Sequence, residues 1–192
     1  MVEAQKQFEP WIETQSGKKM YFLNPDPNDV DIKDIAYSLA NQCRFNGHVP
    51  FFSVAEHSVA VAARLPPELQ LAGLLHDAAE AYLSDIPSPI KQYLPDYCAM
   101  EDRLQGVIFA KFGIDLSSED KNAIKAADKD ATQTEAHYLL ESKGRGWVPV
   151  MFQPSEKYRP RNLPPPEAVQ MFLHWFHSLR GSLVESELLI VQ

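Results

Sequence analysis

The stretch LLHDAAE, from Leu74 to Glu80, places three ionisable residues in a segment that otherwise has the composition of a buried helix. His76 and Asp77 are adjacent, and Glu80 follows His76 by one helical turn. An ionisable side chain on the apolar face of a helix costs free energy unless it is paired or bound to an ion. The stretch therefore predicts a buried polar site within a helical fold.

Composition limits the class of protein around this stretch. The chain has 192 residues, 45% of them hydrophobic, which suits one domain with a real core. A net charge of −8 argues against a nucleic-acid polymer or an anionic membrane as partner. Cys43 and Cys98 are far apart in sequence, which argues against a disulfide framework or a cysteine-based zinc site. No run approaches the ~18 apolar residues of a membrane span, and the N-terminus has no apolar signal core, so we expect a cytoplasmic protein.

The apolar periodicity predicts an all-α fold with one short β-hairpin. Two apolar-aromatic runs around Ser16 and Gly17 indicate the hairpin, and Ser53 with Glu56 forms the pattern of a capping box. We expect a single domain, residues 1–192, in which 1–30 form an N-terminal extension, 31–142 a metal-binding helical core, and 143–192 an irregular connection and a last helix. The predicted helices cover about 32–43, 53–65, 68–83, 97–112 and 117–142, with the last one beginning near 165.

Four polar residues lie on apolar faces of three predicted helices: His57, His76, Asp77 and Asp128. Each alone has an ordinary explanation, since a lone core histidine is usually hydrogen-bonded and a lone aspartate often binds a nearby backbone N–H. Two imidazoles and two carboxylates together form a mixed nitrogen and oxygen ligand set that suits a divalent transition metal. The pattern predicts a site for one ion, with Zn²⁺, Co²⁺, Mn²⁺ and Ni²⁺ all open.

These ligands and their surroundings resemble those of the HD-domain metal-dependent phosphohydrolases. The resemblance runs from about residue 31 to 140 and is carried by SVAEHS, HDAAEAYLSDIPSPIK and AADKDA. It is strongest to the bacterial 5′-deoxynucleotidases and the phage dATP triphosphohydrolases. It implies the HD-domain helical fold, a homo-oligomer, and hydrolysis of a small deoxynucleotide at its 5′ phosphate. The leading expectation is conversion of dATP to deoxyadenosine and triphosphate, with dADP and dAMP as further substrates; the alternative is a 5′-deoxynucleotidase acting on monophosphates.

The resemblance also implies roles for residues around the metal. It gives Glu80 a catalytic role, which its position one turn after His76 supports as general base or water-positioning residue. It matches Asp85 to an acceptor for a sugar hydroxyl. It aligns Arg44 and Phe45 with an arginine–aromatic pair, in which Phe45 replaces the tryptophan that rejects ribose in the deoxynucleotidases.

Further substrate contacts are predicted from side-chain chemistry. The guanidinium of Arg44 can hold a phosphate through two hydrogen bonds. Lys91 ends the DIPSPIK loop and could meet phosphate, and His48 could line the same pocket. Adenine recognition would use residues 46–52 or the region of Trp147, and no residue there identifies the base.

The sequence leaves two other functions open. A non-catalytic regulatory module could bind metal and nucleotide without turnover, but it would have no use for Glu80 and Arg44 beside the ligands. Cyclic-nucleotide cleavage is less favoured, because the sequence offers no second set of His and Asp ligands for a binuclear centre.

Overall fold

The computed structural model describes residues 9–146, 152–155 and 158–190, with the backbone alone for 182–190. Its described part confirms the predicted all-α fold with an N-terminal hairpin. One short 3₁₀ turn, Phe45–Gly47, follows the first helix. The elements are β1 Trp11–Glu13, β2 Lys19–Tyr21, α1 Ile32–Asn41, α2 Val54–Ala62, α3 Pro67–Leu74, α4 Glu80–Leu83, α5 Ser88–Lys91, α6 Pro95–Phe112, α7 Ser118–Leu139 and α8 Pro165–Ile190.

The hairpin is antiparallel, with Ile12 opposite Met20. Its turn is fixed to α1, because Asp34 accepts hydrogen bonds from the backbone N–H of Ser16 at 2.8 Å and from the Ser16 hydroxyl at 2.7 Å. Met20 is fully buried in the main core. The first eight residues of the predicted N-terminal extension lie outside the described residues.

Helix α2 lies at the centre of the fold. All nine of its residues are buried, and it packs against α1, α3, α7 and α8. Ser53 caps it as predicted, accepting the backbone N–H of Glu56 at 3.1 Å. The reciprocal half of the predicted capping box is not formed. The Glu56 carboxylate instead accepts the backbone N–H groups of Arg161 and Leu163, which fixes the segment before α8 onto α2.

The single helix predicted over 68–83 is wrong, because residues 75–79 form turns between α3 and α4. The side-chain amide of Gln105 on α6 binds the carbonyl of Leu75 and the N–H of Ala79, the two groups that a continuous helix would join. His76 and Asp77 thus lie in an interruption between two helices rather than on a helical face.

Among the described helices, none combines the length and the apolar character that crossing a membrane requires.

Candidate metal centre

Three side chains from three parts of the fold converge on one point. His57 comes from the middle of α2, His76 from the turns after α3, and Asp128 from α7. One potential ligand atom from each lies within 4.8 Å of the others, so the group could hold a metal ion. The Nε2 atoms of both histidines are buried without a hydrogen-bond partner. Leaving such atoms unsatisfied costs about 1–3 kcal/mol each, and a metal ion between them would remove that cost.

Asp77 adds a second carboxylate to this group. Its Oδ2 lies 3.1 Å from Nε2 of His76 and 3.7 Å from Nε2 of His57. Oδ1 of Asp128 lies 3.1 Å from Nε2 of His57, without the alignment of a hydrogen bond. All four sequence-predicted ligands are therefore brought together. We call His57, His76, Asp77 and Asp128 the ligand cluster.

The other ring nitrogen of each histidine is already occupied. Nδ1 of His57 lies 2.7 Å from the carboxylate of Glu135, and Nδ1 of His76 lies 2.8 Å from the carbonyl of Gly73. Contacts of this kind set the tautomer and ring orientation of metal-binding histidines and leave Nε2 as the ligand atom. The donor set and its supports thus fit a divalent transition metal.

The electrostatics of the ligand cluster keep its carboxylates charged. Burial opposes the charge on Asp77 and Asp128, but the neighbouring histidines lower the pKa of both below the ordinary range. Burial and Arg44 lower the pKa of His57, while Glu135 and Asp128 raise it more, to about 9. Both carboxylates therefore stay ionised, the form in which they could bind a cation.

Arg44 lies beside the ligand cluster. Its Nε is 3.1 Å from Glu135, one terminal nitrogen donates to the hydroxyl of Thr132 at 2.9 Å, and the other lies 4.0 Å from Asp77. The Thr132 hydroxyl in turn donates to Asp128 at 3.2 Å. The residue predicted to hold phosphate therefore borders the site, with part of its guanidinium already engaged by protein groups.

Glu80 is buried, and its two oxygens have different surroundings. Oε1 lies 3.3 Å from Nζ of Lys91, whereas Oε2 is buried without a hydrogen-bond partner. Burial, with the nearby charges of Asp77 and Asp85, raises the pKa of Glu80 to about 10 against the influence of Lys91 and Arg44. Lys91, predicted to meet phosphate, is also paired with Glu101 at 2.8 Å.

Asp85 is tied to the same segment through Gln42. The Gln42 side chain accepts the N–H of Asp85 and donates to the carbonyl of Glu80, both at 2.9 Å. Burial raises the pKa of Asp85, with Arg44 opposing the shift. The preceding residue, Ser84, has φ +72 and ψ 153, a backbone region that is costly for any residue except glycine.

The remaining predicted substrate residues are Phe45, on the 3₁₀ turn, and His48, directly after it. Phe45 and Asn46 have φ values of +54 and +52, and the Phe45 ring centre lies 5.7 Å from the Arg44 guanidinium carbon. His48 is exposed, and its backbone N–H donates to the Phe45 carbonyl at 3.0 Å. The Phe45 ring thus lies beside Arg44, whereas no hydrogen bond or ion pair of the described residues joins the His48 side chain to the ligand cluster. Trp147, considered for base recognition, lies outside the described residues.

Sequence reasoning missed Glu135, Thr132 and Gln105. Glu135 follows Asp128 by seven residues, which is two helical turns, so the shared helix face offered a signal. Gln105 offered no local signal, because it reaches the turn at 75–79 only through the packing of α6.

A cavity of about 570 Å³ lies between the hairpin, α1 and the end of α4. Its wall includes Tyr37, Ser38, Gln42, Tyr82 and Ser84 but no member of the ligand cluster. The cavity and the ligand cluster are thus distinct features.

Comparison with known proteins finds two relatives that match nearly the whole chain. The uncharacterized protein YfdR of Escherichia coli strain K12 is 40% identical over 172 residues, covering 88% of this chain and 95% of the relative. The uncharacterized protein RCAP_rcc00048 of Rhodobacter capsulatus is 35% identical over 191 residues, covering 90% of this chain and 97% of the relative. No protein-family model matches the chain.

Proposed function

The chain belongs to the family of YfdR and RCAP_rcc00048, and for this member we propose a metal-dependent phosphohydrolase that acts on 2′-deoxynucleotides. The proposal includes an HD-domain type of site with one divalent transition metal, Zn²⁺, Co²⁺, Mn²⁺ or Ni²⁺. We take dATP, cleaved to deoxyadenosine and triphosphate, as the first substrate to test.

One observation carries the proposal. Two buried histidine Nε2 atoms without partners face the carboxylates of Asp77 and Asp128 at distances of 3.1–4.0 Å. Without an ion, each Nε2 atom has a carboxylate nearby but no hydrogen bond, which is unfavourable for a buried polar atom. A metal site at that point removes the conflict.

The residues beside the ligand cluster have the chemistry of phosphate ester hydrolysis. A bound divalent cation would supply Lewis acidity at the phosphoryl group. Arg44 offers a terminal guanidinium nitrogen toward a phosphate oxygen. The Oε2 of Glu80 has no hydrogen-bond partner, and a bound cation nearby would lower the raised pKa of this carboxyl, so that it could accept a proton from the attacking water. A group placed in this way typically contributes ~10²–10⁴-fold to the rate.

The charge around the site favours a second candidate, a 5′-deoxynucleotidase acting on monophosphates. Two cations of the described residues lie near the site, and both are already paired: Arg44 beside the ligand cluster with Glu135, and Lys91 beside Glu80 with Glu101. A triphosphate would need further positive charge, whereas a monophosphate needs less.

The test is a chromatographic product assay. Protein stripped of metal is reloaded with Co²⁺, Zn²⁺, Mn²⁺ or Ni²⁺ and incubated with each deoxynucleoside triphosphate, with ATP, and with the matching monophosphates. Deoxyadenosine with intact triphosphate would support the first candidate. Phosphate from monophosphates, with triphosphates untouched, would support the second.

Asp77→Asn is the matched variant for the assay, with Asp115→Asn on an exposed loop as its control. Asp77→Asn should lose metal and activity together, and Asp115→Asn should keep both. A chain that binds metal but turns over no nucleotide would be a regulatory module, and an active, metal-free Asp77→Asn protein would end the proposal.

A further inference from the structure

The turn that carries His76 and Asp77 is held open by Gln105 on α6. In a continuous helix the N–H of Ala79 would donate to the carbonyl of Leu75, four residues earlier. Here the N–H of Ala79 donates to Oε1 of Gln105 at 3.0 Å, and Nε2 of Gln105 donates to the Leu75 carbonyl at 2.7 Å. One side-chain amide thus takes the place of one helical hydrogen bond, and such an insertion is a physical cause of helix interruption.

The backbone around the insertion has a tighter winding than an α-helix. The N–H of Ala78 donates to the Leu75 carbonyl at 3.1 Å, and the N–H of Glu80 donates to the Asp77 carbonyl at 3.0 Å. Both are bonds between residues three apart, which wind about three residues per turn instead of 3.6. The Gly73 carbonyl is occupied by the ring of His76. These bonds set the directions of the side chains in the turn.

The interruption has a direct consequence for the ligand cluster. Side chains of consecutive residues on a regular α-helix diverge by about 100°, yet Nε2 of His76 and Oδ2 of Asp77 lie only 3.1 Å apart. The position of Gln105 is fixed by its helix, because Leu104 and Ile108 of α6 are buried in the main core. The core therefore fixes the amide that fixes the turn.

We propose that Gln105 is a positioning residue of the metal centre, which holds the turn open so that His76 and Asp77 face the same ion. The inference rests on the metal site of the proposed function and adds a determinant of its affinity. Without the amide, the N–H of Ala79 can return to the Leu75 carbonyl. The helix then continues, and the two side chains diverge.

The test is a titration of the metal-stripped, full-length protein with Co²⁺ alone. Gln105→Leu removes both hydrogen bonds at similar volume, and Gln105→Asn keeps an amide that is one methylene shorter. Gln70→Leu is the matched control, since Gln70 also donates one side-chain bond to a backbone carbonyl, that of Leu65 at 3.2 Å. The readouts are the dissociation constant for Co²⁺, its visible absorption spectrum, and the melting temperature of the metal-free protein.

We expect Gln105→Leu to weaken Co²⁺ binding by about 10–100-fold and to change the Co²⁺ spectrum, with a smaller effect from Gln105→Asn. Gln70→Leu should bind Co²⁺ as the wild type does. Wild-type affinity and spectrum in folded Gln105→Leu would overturn the positioning role, as would unfolding of both Gln105 variants. A wild-type protein that binds no Co²⁺, Zn²⁺, Mn²⁺ or Ni²⁺ would instead overturn the proposed function itself.

Discussion

Oε1 of Glu135 lies 2.7 Å from Nδ1 of His57, and both side chains are completely buried. The second oxygen of the same carboxylate accepts a hydrogen bond from Nε of Arg44 at 3.1 Å. Burial alone would raise the pKa of Glu135, but the charges of His57 and Arg44 lower it. One ionised carboxylate therefore connects a proposed metal ligand with the proposed phosphate-binding residue.

Glu135→Gln tests this connection. The neutral amide keeps the shape of the side chain but offers one oxygen acceptor instead of two, so the orientation of the His57 ring is less well fixed. We expect Co²⁺ affinity to fall by about 10–100-fold, measured by titration of metal-stripped protein. Glu119→Gln, at an exposed position near the start of α7, is the control and should bind Co²⁺ normally. Unchanged affinity in Glu135→Gln would show that the contact does not support the ligand.

Arg44→Lys tests the phosphate-binding role. Lysine keeps the charge beside Glu135, whereas alanine would leave that buried carboxylate without its partner. Lysine lacks the planar guanidinium, so we expect nucleotide affinity to fall by about tenfold or more, equivalent to ~1.4 kcal/mol. Metal affinity should change much less.

Isothermal titration with nucleotide and with metal separates the two effects of Arg44→Lys. Arg64→Lys is the control, because Arg64 makes comparable contacts to Asp130 and Thr134 away from the ligand cluster. Equal losses of nucleotide and metal binding in Arg44→Lys would indicate a role in folding instead.

Glu80 makes the stability of the metal-free protein depend on pH. Burial raises the pKa of Glu80 to about 10, far above the ordinary value for a glutamate, so the folded state holds a proton that the unfolded state releases. The stabilisation is complete below the pKa of the unfolded state and is lost as pH rises toward the folded value. In Glu80→Gln, whose amide resembles the neutral carboxyl, this loss is absent.

Thermal melts of the metal-free proteins between pH 5 and pH 9.5 check this expectation. The melting temperature of Glu80→Gln should rise relative to that of the wild type as pH rises. At the alkaline end we expect a difference of about 2–4 °C or more, equivalent to ~1 kcal/mol. In the metal-loaded protein the same variant should keep metal but turn over slowly. If the difference in melting temperature between Glu80→Gln and the wild type is the same at every pH, Glu80 is not a buried, neutral acid. A normal kcat in the variant would show that Glu80 has no part in the mechanism.

Ser84→Gly tests the strained backbone before Asp85. Glycine adopts a φ of +72 with ψ 153 without strain, which should raise the free energy of unfolding by about 1–3 kcal/mol. The greater freedom of glycine in the unfolded chain should lower it by about 0.5–1 kcal/mol. We expect a net stabilisation, measured by urea unfolding. Ser118→Gly, in the ordinary helical backbone of α7, should destabilise. A loss of stability in both variants would show that position 84 carries no strain.

The sequence predicted that four ionisable residues lie close together, because the signal of each one is local. His57, His76, Asp77 and Asp128 stand among apolar residues, and the structure brings all four side chains together, although turns at 75–79 replace the helix predicted around His76 and Asp77. Their binding of a metal ion stays a prediction. Lys91 shows the limit of this reasoning. Its charge predicted a phosphate contact, which stays a prediction, but the sequence did not show that Lys91 lies between Glu80 and Glu101, whose carboxylates reach it from other helices.

By itself, the sequence determined the helical class, the hairpin and the residue types that converge on the site, since periodicity and side-chain chemistry are written along the chain. Only the tertiary structure decided how those residues meet. The predicted helix through His76 and Asp77 is interrupted by Gln105, which lies 28 residues beyond Asp77. A hydrogen bond from a distant helix can replace a local one, and no local pattern records that exchange.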